Sequence, residues 1–285
     1  MYLFEKKKMW LLIVFVILGI GLFFSMVHVV NKNNSIDNKI FQRSNFTIYY
    51  GEHKKNFVDI YYIGSSKTAI IVHGGGFIGG NARDEDTMMM VNYFLSLGYN
   101  VASVEYRTCE NTKFRYVLKD IYKGIRHAIS KIDNFQNQER YVLVGYSAGA
   151  TAISILLLGD IHAKIDNLIK YYILLSGIYN VESINMEYAK PTLDECGKIL
   201  LKFMNYTRTP SQDIRIMLVE GDHDQYDLYA GKHSSHMEYL KDVLKSKGIN
   251  DVTSLWIKGR HGSTLRIFRE EKYDKVLGEF LVNQS

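Results

Sequence analysis

The most constraining stretch of the chain is Tyr141–Val144, a short β-branched and aromatic run, which passes without a linker into Gly145-Tyr146-Ser147-Ala148-Gly149 and an apolar segment ending at Leu158. A strand that turns directly into a helix apolar nearly all round has few places to sit. Such a helix must be covered on every side, as it is inside a layered α/β domain. The turn itself is so sharp that it forces Ser147 into a strained backbone conformation and draws neighbouring chain close. Flanking positions then tolerate little or no side chain, which is the physical reason for Gly145 and Gly149.

Further short runs of strand-forming residues recur at Phe46–Tyr50, Phe57–Ile63, Thr68–His73, Val101–Tyr106, Tyr171–Leu175, Ile214–Glu220 and Thr253–Ile257. Helical spacing separates the later ones. Val117, Leu118, Ile121, Ile125, Ala128 and Ile129 form one stripe, and Met237, Leu240, Val243 and Leu244 form another that Gly248 should close as a C-cap. Strands first, then strand–helix alternation, predict a mostly parallel sheet with antiparallel first strands and helices on both faces. The domain should occupy residues 45–285. With 47% apolar and 23% charged residues the composition is that of a globular protein. The formal charge of +5 is small, and much of the surplus lies in Lys6, Lys7, Lys8, Lys32 and Lys39. No basic concentration of the kind that binds nucleic acid remains in the domain.

Three more segments carry chemistry. The strand ending at Val72 runs into His73-Gly74-Gly75-Gly76-Phe77, where bare glycines let backbone N–H groups approach a developing oxyanion. No Lys-Ser or Lys-Thr follows, so this is not a phosphate loop. After the strand Ile214–Val219 comes Glu220-Gly221-Asp222-His223-Asp224, and after the last strand comes Lys258-Gly259-Arg260-His261-Gly262. An acid and a histidine at successive late strand ends complete the order Ser, Asp, His. A serine hydroxyl is a poor nucleophile until an imidazole takes its proton, and the imidazole needs a carboxylate to fix its tautomer. Asp224 is preferred to Asp222 and Asp227 because it lies deeper in the loop yet near the strand end. Of nine histidines only His261 follows the last strand. His233 and His236 have the look of a metal pair but lack a third ligand at usual spacing, so both are expected to be solvated, and no metal or cofactor is expected.

Taken together, these elements resemble the α/β-hydrolase superfamily, and the His73–Phe77 and Gly145–Gly149 motifs are similar to its esterase branch, related to hormone-sensitive lipase and small carbohydrate or aryl esterases. Tyr146 stands where the hormone-sensitive-lipase pattern usually has Asp. The resemblance implies Ser147 as nucleophile, Asp224 as acid, His261 as base, and the amides of Gly75, Gly76 and Ala148 as oxyanion hole, with His73, Gly74, Gly145 and Gly149 supporting them. It implies a serine hydrolase that cleaves a small carboxylic ester, of short acyl or acetyl type, through an acyl-enzyme. Kynurenine formamidases are similar in carrying a His-Gly-Gly loop and a serine elbow, which leaves an aryl formamidase or amidase as an alternative. A non-catalytic binding module of the same fold is the other.

Residues 178–210, with Tyr179, Tyr188, Leu200, Leu201, Phe203 and Met204, should form a short helical cap over the site. Cys109 and Cys196 are too few for a disulfide scaffold; an unpaired buried pair is the expectation, with a bridge possible in an oxidising compartment. Ahead of the domain, Met9–Val30 is an apolar run interrupted only by Ser25 and His28. At 1.5 Å per residue it spans roughly 33 Å, enough to cross a bilayer. The preceding lysines predict residues 1–30 to be a signal anchor with its amino terminus cytosolic and the domain extracytoplasmic, a cleaved secretory signal being the alternative. Residues 31–44 read as a tether. Deleting residues 1–40 should therefore yield a soluble domain, and protease added to intact cells should digest the domain of the full chain. A domain that stays protected while a cytosolic marker also stays protected overturns the orientation.

Overall fold

The computed structural model describes residues 44–133, 140–159, 165, 169–210 and 213–282. The expected anchor over residues 9–30 and nearly all of the tether lie outside these. Among the described residues no helix is long and apolar enough to cross a membrane.

Eight strands form one sheet: β1 (Ser44–Tyr49), β2 (Phe57–Tyr62), β3 (Lys67–Val72), β4 (Asn100–Val104), β5 (Arg140–Tyr146), β6 (Tyr171–Leu175), β7 (Arg215–Gly221) and β8 (Val252–Ile257). Their spatial order is β1-β2-β4-β3-β5-β6-β7-β8. The first two pairings, β1 with β2 and β2 with β4, are antiparallel, and every later one is parallel. The expected architecture is thus observed, with each strand within a few residues of its predicted span. β1 begins at Ser44, the last residue assigned to the tether.

Side-chain alternation along the central strands sends successive residues to opposite faces. Ile70, Val72 and Leu143 join one core with α2 (Phe114–Asp133), α3 (Ala148–Leu158) and α6 (His236–Ser246). Ala69, Ile71, Val142 and Val144 join the other with α1 (Glu85–Ser96) and α7 (Asp274–Leu281). All residues of α3 are buried, as an all-round apolar helix requires. The stripe on α2 is buried too, and Asp120 within it is neutralised by Arg107, whose Nε lies 2.6 Å from its Oδ2. On α6 the Ser235 hydroxyl accepts from the Glu238 amide, and past the last turn Gly248 N–H and Ile249 N–H donate to Lys245 O and Leu244 O. This pair of bonds is the Schellman closure expected at Gly248.

Between β6 and β7 the chain forms the cap, a 3₁₀ turn at Val181–Ser183 followed by α4 (Met186–Cys196) and α5 (Ile199–Phe203). One expectation is corrected here. Cys109 and Cys196 are buried, but they are joined in a disulfide across an 87-residue separation. Their Cα atoms stand 5.0 Å apart, within the reach of a bridge, because the cap folds back over the loop after β4.

Candidate active site

The site forms along the carboxyl edge of the parallel strands. Ser147 takes φ 52° and ψ −116°, a left-handed conformation rare for a residue with a side chain. The neighbouring packing explains how the turn is held. A Cβ on Gly149 would lie 2.1 Å from Val72 O, and one on Gly145 would lie 2.7 Å from the backbone of Ala150. Helix α3 therefore meets β3 and its own strand closely enough to leave Ser147 no relaxed alternative. Its N–H is fixed by Leu175 O at 2.8 Å.

Three predicted site residues meet at this turn. His261 Nε2 lies 2.7 Å from Ser147 Oγ, and His261 Nδ1 lies 2.7 Å from Asp224 Oδ2. The second contact assigns the Nδ1 proton to the carboxylate side and leaves Nε2 as the acceptor for the serine hydroxyl. Asp224 and His261 are 5% and 8% exposed, so water competes little for the pair. The competing acids face elsewhere. Asp222 accepts from Gly259 N–H and His223 Nδ1, contacts that hold its carboxyl below the usual pKa, while Asp227 accepts from the amides of Tyr229 and His236.

Gly76 and Ala148 line the cavity beside Ser147. Among the described residues the amides of Gly75, Gly76 and Ala148 find no protein acceptor, which leaves them available to an oxyanion. Gly75 and Gly76 both take positive φ, as the tight loop demands. The loop is braced from behind by Tyr106, whose ring stacks on His73 and whose hydroxyl donates to His73 O at 2.9 Å. The cavity holds about 50 Å³ and is walled by Phe77, Ile178, Ile184, Leu193, Leu200 and Tyr226, with the cap as its roof.

Several residues of the site left no mark in the sequence motifs. Ser176, at φ 49°, donates its hydroxyl to His261 O at 2.8 Å and so fixes the backbone that carries the imidazole. The only sequence signal was its place just past the end of β6, on the same edge. Tyr226 packs its ring 4.6 Å from that of His261.

Behind the acid loop lies a buried polar cluster. His233 is exposed as expected, but His236 is 2% exposed and not solvated. Its Nδ1 accepts from Asn180 N–H and lies 2.9 Å from Ser183 Oγ, tying the start of the cap to α6. Burial holds its pKa below the ordinary histidine value, consistent with a neutral acceptor. Beside it, Glu220 accepts from Met237 N–H. Burial, with the Asp227 carboxylate alongside, raises the Glu220 pKa to about 10, so at neutral pH it holds a proton. Among the described residues no group of three or more His, Cys, Asp or Glu is arranged to hold a metal ion.

Residues 58–192 match the model of the BD-FAE family. No curated protein matches the sequence. Among solved structures the chain is similar to a truncated carbohydrate esterase from gut microbiota, at 16% identity and TM-score 0.65 over 85% of this chain and 96% of that one. It is also similar to esterase B from Lactobacillus rhamnosis, at 18% identity and TM-score 0.63 over 90% and 92%. A Pyrobaculum calidifontis esterase aligns at 16% identity and TM-score 0.62 over 84% and 83%.

Two measurements follow from the geometry. On one short ester, Asp224→Asn should lower kcat by roughly 10⁴, the scale of a wrong imidazole tautomer, with Asp222→Asn and Asp227→Asn costing far less. An inactive Asp222→Asn beside an active Asp224→Asn would move the acid assignment. The second concerns Glu220. Between its ordinary pKa of 4.5 and its folded value of about 10 the unfolded chain binds fewer protons, so this group's contribution is intact below the first and lost as pH rises towards the second. Glu220→Gln has no proton to lose, and its Tm relative to wild type should climb steadily from pH 5 to pH 9. A difference independent of pH would show that Glu220 is ionised in the folded chain.

Proposed function

We propose that this chain, whose fold is that of the esterases it resembles, is a serine esterase of the α/β-hydrolase superfamily cleaving a small carboxylic ester of short acyl or acetyl type through an acyl-enzyme. The observation that carries this reading is the continuous hydrogen-bonded line from Asp224 through His261 to Ser147, 2.7 Å at each step, beside amides with no protein acceptor. Similarity to proteins described as esterases supports the same chemistry.

In this mechanism Ser147 Oγ attacks the ester carbonyl carbon as His261 Nε2 takes the hydroxyl proton. The carbonyl π pair moves onto oxygen, and that oxyanion is met by the amides of Gly75, Gly76 and Ala148. Asp224 stabilises the imidazolium without itself taking the proton. Collapse of the tetrahedral intermediate breaks the bond to the alcohol oxygen, which leaves with the proton from His261. A water then repeats the sequence on the acyl-serine and releases the acid.

Acyl size follows from space. The cavity beside Ser147 is small, about 50 Å³, and its apolar side chains close in on the serine, which supports a short acyl group. For location, the reading is of an anchored domain held outside the cytosol. The apolar run over residues 9–30 supports it, as does the Cys109–Cys196 bridge, since such bonds persist in oxidising compartments.

Ser147→Ala should lower kcat on the order of 10⁶-fold without unfolding the domain. Wild-type kcat/KM across esters of graded acyl length should fall sharply beyond butyryl. A folded Ser147→Ala that keeps substantial turnover refutes the nucleophile, and a preference for octanoyl over acetyl esters refutes the acyl assignment.

A further inference from the structure

The cavity beside Ser147 is closed by two pieces of chain that are far apart in sequence. One wall is Phe77, on the loop after β3, and the other is the cap, with Ala189 and Leu193 from α4 and Leu200 from α5. The first wall is well braced. Phe77 O accepts from Cys109 N–H at 2.7 Å, and the Phe77 ring packs edge-on against Phe114 at the head of α2, with centroids 5.0 Å apart. The cap wall has less beneath it. Helix α4 buries Ala189, Leu193 and Cys196, and α5 buries Leu200, while Met186, Tyr188 and Ile199 on the same two helices stand about half exposed.

The ends of the cap are tied to the body of the domain. At its start Asn180 N–H donates to His236 Nδ1 and Asn185 N–H to Tyr226 O; at its end Arg208 N–H donates to Leu158 O, and the Tyr206 hydroxyl lies 2.9 Å from Ser154 Oγ. Between these ends the Thr192 hydroxyl donates to Gly76 O at 2.9 Å, Phe203 packs edge-on against Phe114 at 5.6 Å, and Cys196 is bonded to Cys109. A hydrogen bond contributes about 1 kcal/mol net and opens and re-forms by itself. The disulfide does not. Cys196 lies one turn past Leu193 on α4, and Cys109 is the residue whose amide holds Phe77 O, so the bridge joins the two walls of the cavity directly.

We propose that the Cys109–Cys196 bridge sets the acyl-length limit of the site: it pins α4 to the loop after β4 and so holds the cap wall against Phe77, and when it is opened α4 and α5 lift and longer acyl chains enter. The inference rests on the serine esterase reading and adds to it a specificity device outside the catalytic residues. Neither cysteine lines the cavity, so the effect is steric and carried by the wall residues next to them. A methylene that an apolar pocket cannot accommodate costs roughly 10- to 200-fold in kcat/KM. A wall free to yield removes that cost for a long acyl chain and gives nothing to acetyl, which already fits. Opening the bridge therefore changes the ranking of substrates and not the rate on all of them alike. In a compartment where disulfides persist the domain is narrow in its acyl choice, and the same chain with two thiols is broad.

The test measures kcat/KM for acetyl, butyryl, hexanoyl and octanoyl esters of one alcohol. Four proteins are compared: wild type, wild type treated with a phosphine that reduces the bridge to two thiols, the double variant Cys109→Ser with Cys196→Ser, and Leu193→Ala with the bridge intact. Amide hydrogen exchange is read alongside. In both bridge-free forms the octanoyl-to-acetyl ratio should rise by about tenfold or more, the scale of one relieved methylene clash. Amides of α4 and α5 should exchange faster in those forms, with amides of the sheet unchanged. Leu193→Ala should shift the ratio in the same direction, because it cuts back the same wall. A ratio that keeps its wild-type value in the bridge-free forms overturns the proposal, and so does an equal loss at every acyl length, which signals general destabilisation. An unchanged ratio in Leu193→Ala also overturns it, since the acyl chain then does not meet the cap wall. Should the double variant fail to fold, reduction of the folded wild type decides; unfolding of both shows that the bridge holds the whole domain and not the cap, and overturns the proposal too. An inactive wild type that no serine-directed phosphonate labels removes the esterase reading, whereas an active wild type whose acyl ranking ignores the bridge removes only this inference.

Discussion

Close contact between two backbones, α3 against the end of β3, is the constraint on which the site depends. Because Gly149 has no side chain, the first turn of α3 can lie against Val72 O, and that approach compels the strained turn at Ser147. The same contact sets the distance between the serine and the loop that follows β3, where the free amides lie. Parallel pairing of β5, β6 and β7 then brings Asp224 to the same edge, and β8 beyond them brings His261. Ser147, His261 and Asp224 come from three loops, but one sheet register sets their spacing. A residue inserted in any of these strands would reverse its inward and outward faces and remove its loop from the line.

Much of this was legible in the sequence because it is encoded locally. Strand ends are marked by glycines at 74–76, 145, 221 and 259, and Ser147, Asp224 and His261 each stand within a few residues of such a mark. The all-round apolar character of α3 revealed a buried helix for the same reason. What escaped is what depends on chain far away. The pairing of Cys109 with Cys196, the burial of His236, and the contact of Ser176 with His261 O each join segments from different loops. No periodicity links such positions, since the links are made by the crossover order of the sheet and by the fold of the cap. Two histidines expected to be solvated illustrate the difficulty: His233 and His236 are three apart in sequence, yet one faces solvent and the other is buried.

The polar cluster behind the acid loop shows how the domain accommodates three carboxyl groups in one region. Asp224, Glu220 and Asp227 are all nearly buried, and three bare charges there would repel one another strongly. The structure separates their tasks. Asp224 faces His261, Asp227 takes the amide at the head of α6, and Glu220 is neutral at ordinary pH. Keeping one proton in the cluster leaves the negative potential near the imidazole to come chiefly from the group that touches it.

Backbone strain is distributed with similar economy. Among the described residues, those with a side chain and a positive φ are Phe77, Ser147 and Ser176, and they follow β3, β5 and β6, which are immediate neighbours in the sheet. Each such conformation costs about 1–3 kcal/mol. The domain thus keeps its unfavourable backbone in one row beneath the cap and relaxed geometry elsewhere. Selection for heat resistance alone would favour glycine at Phe77 and Ser176, relieving the strain while slackening the cavity wall and the support of His261. Thermal robustness and turnover are therefore opposed along this row of residues, and substitutions that raise stability at no cost to activity should be sought away from it.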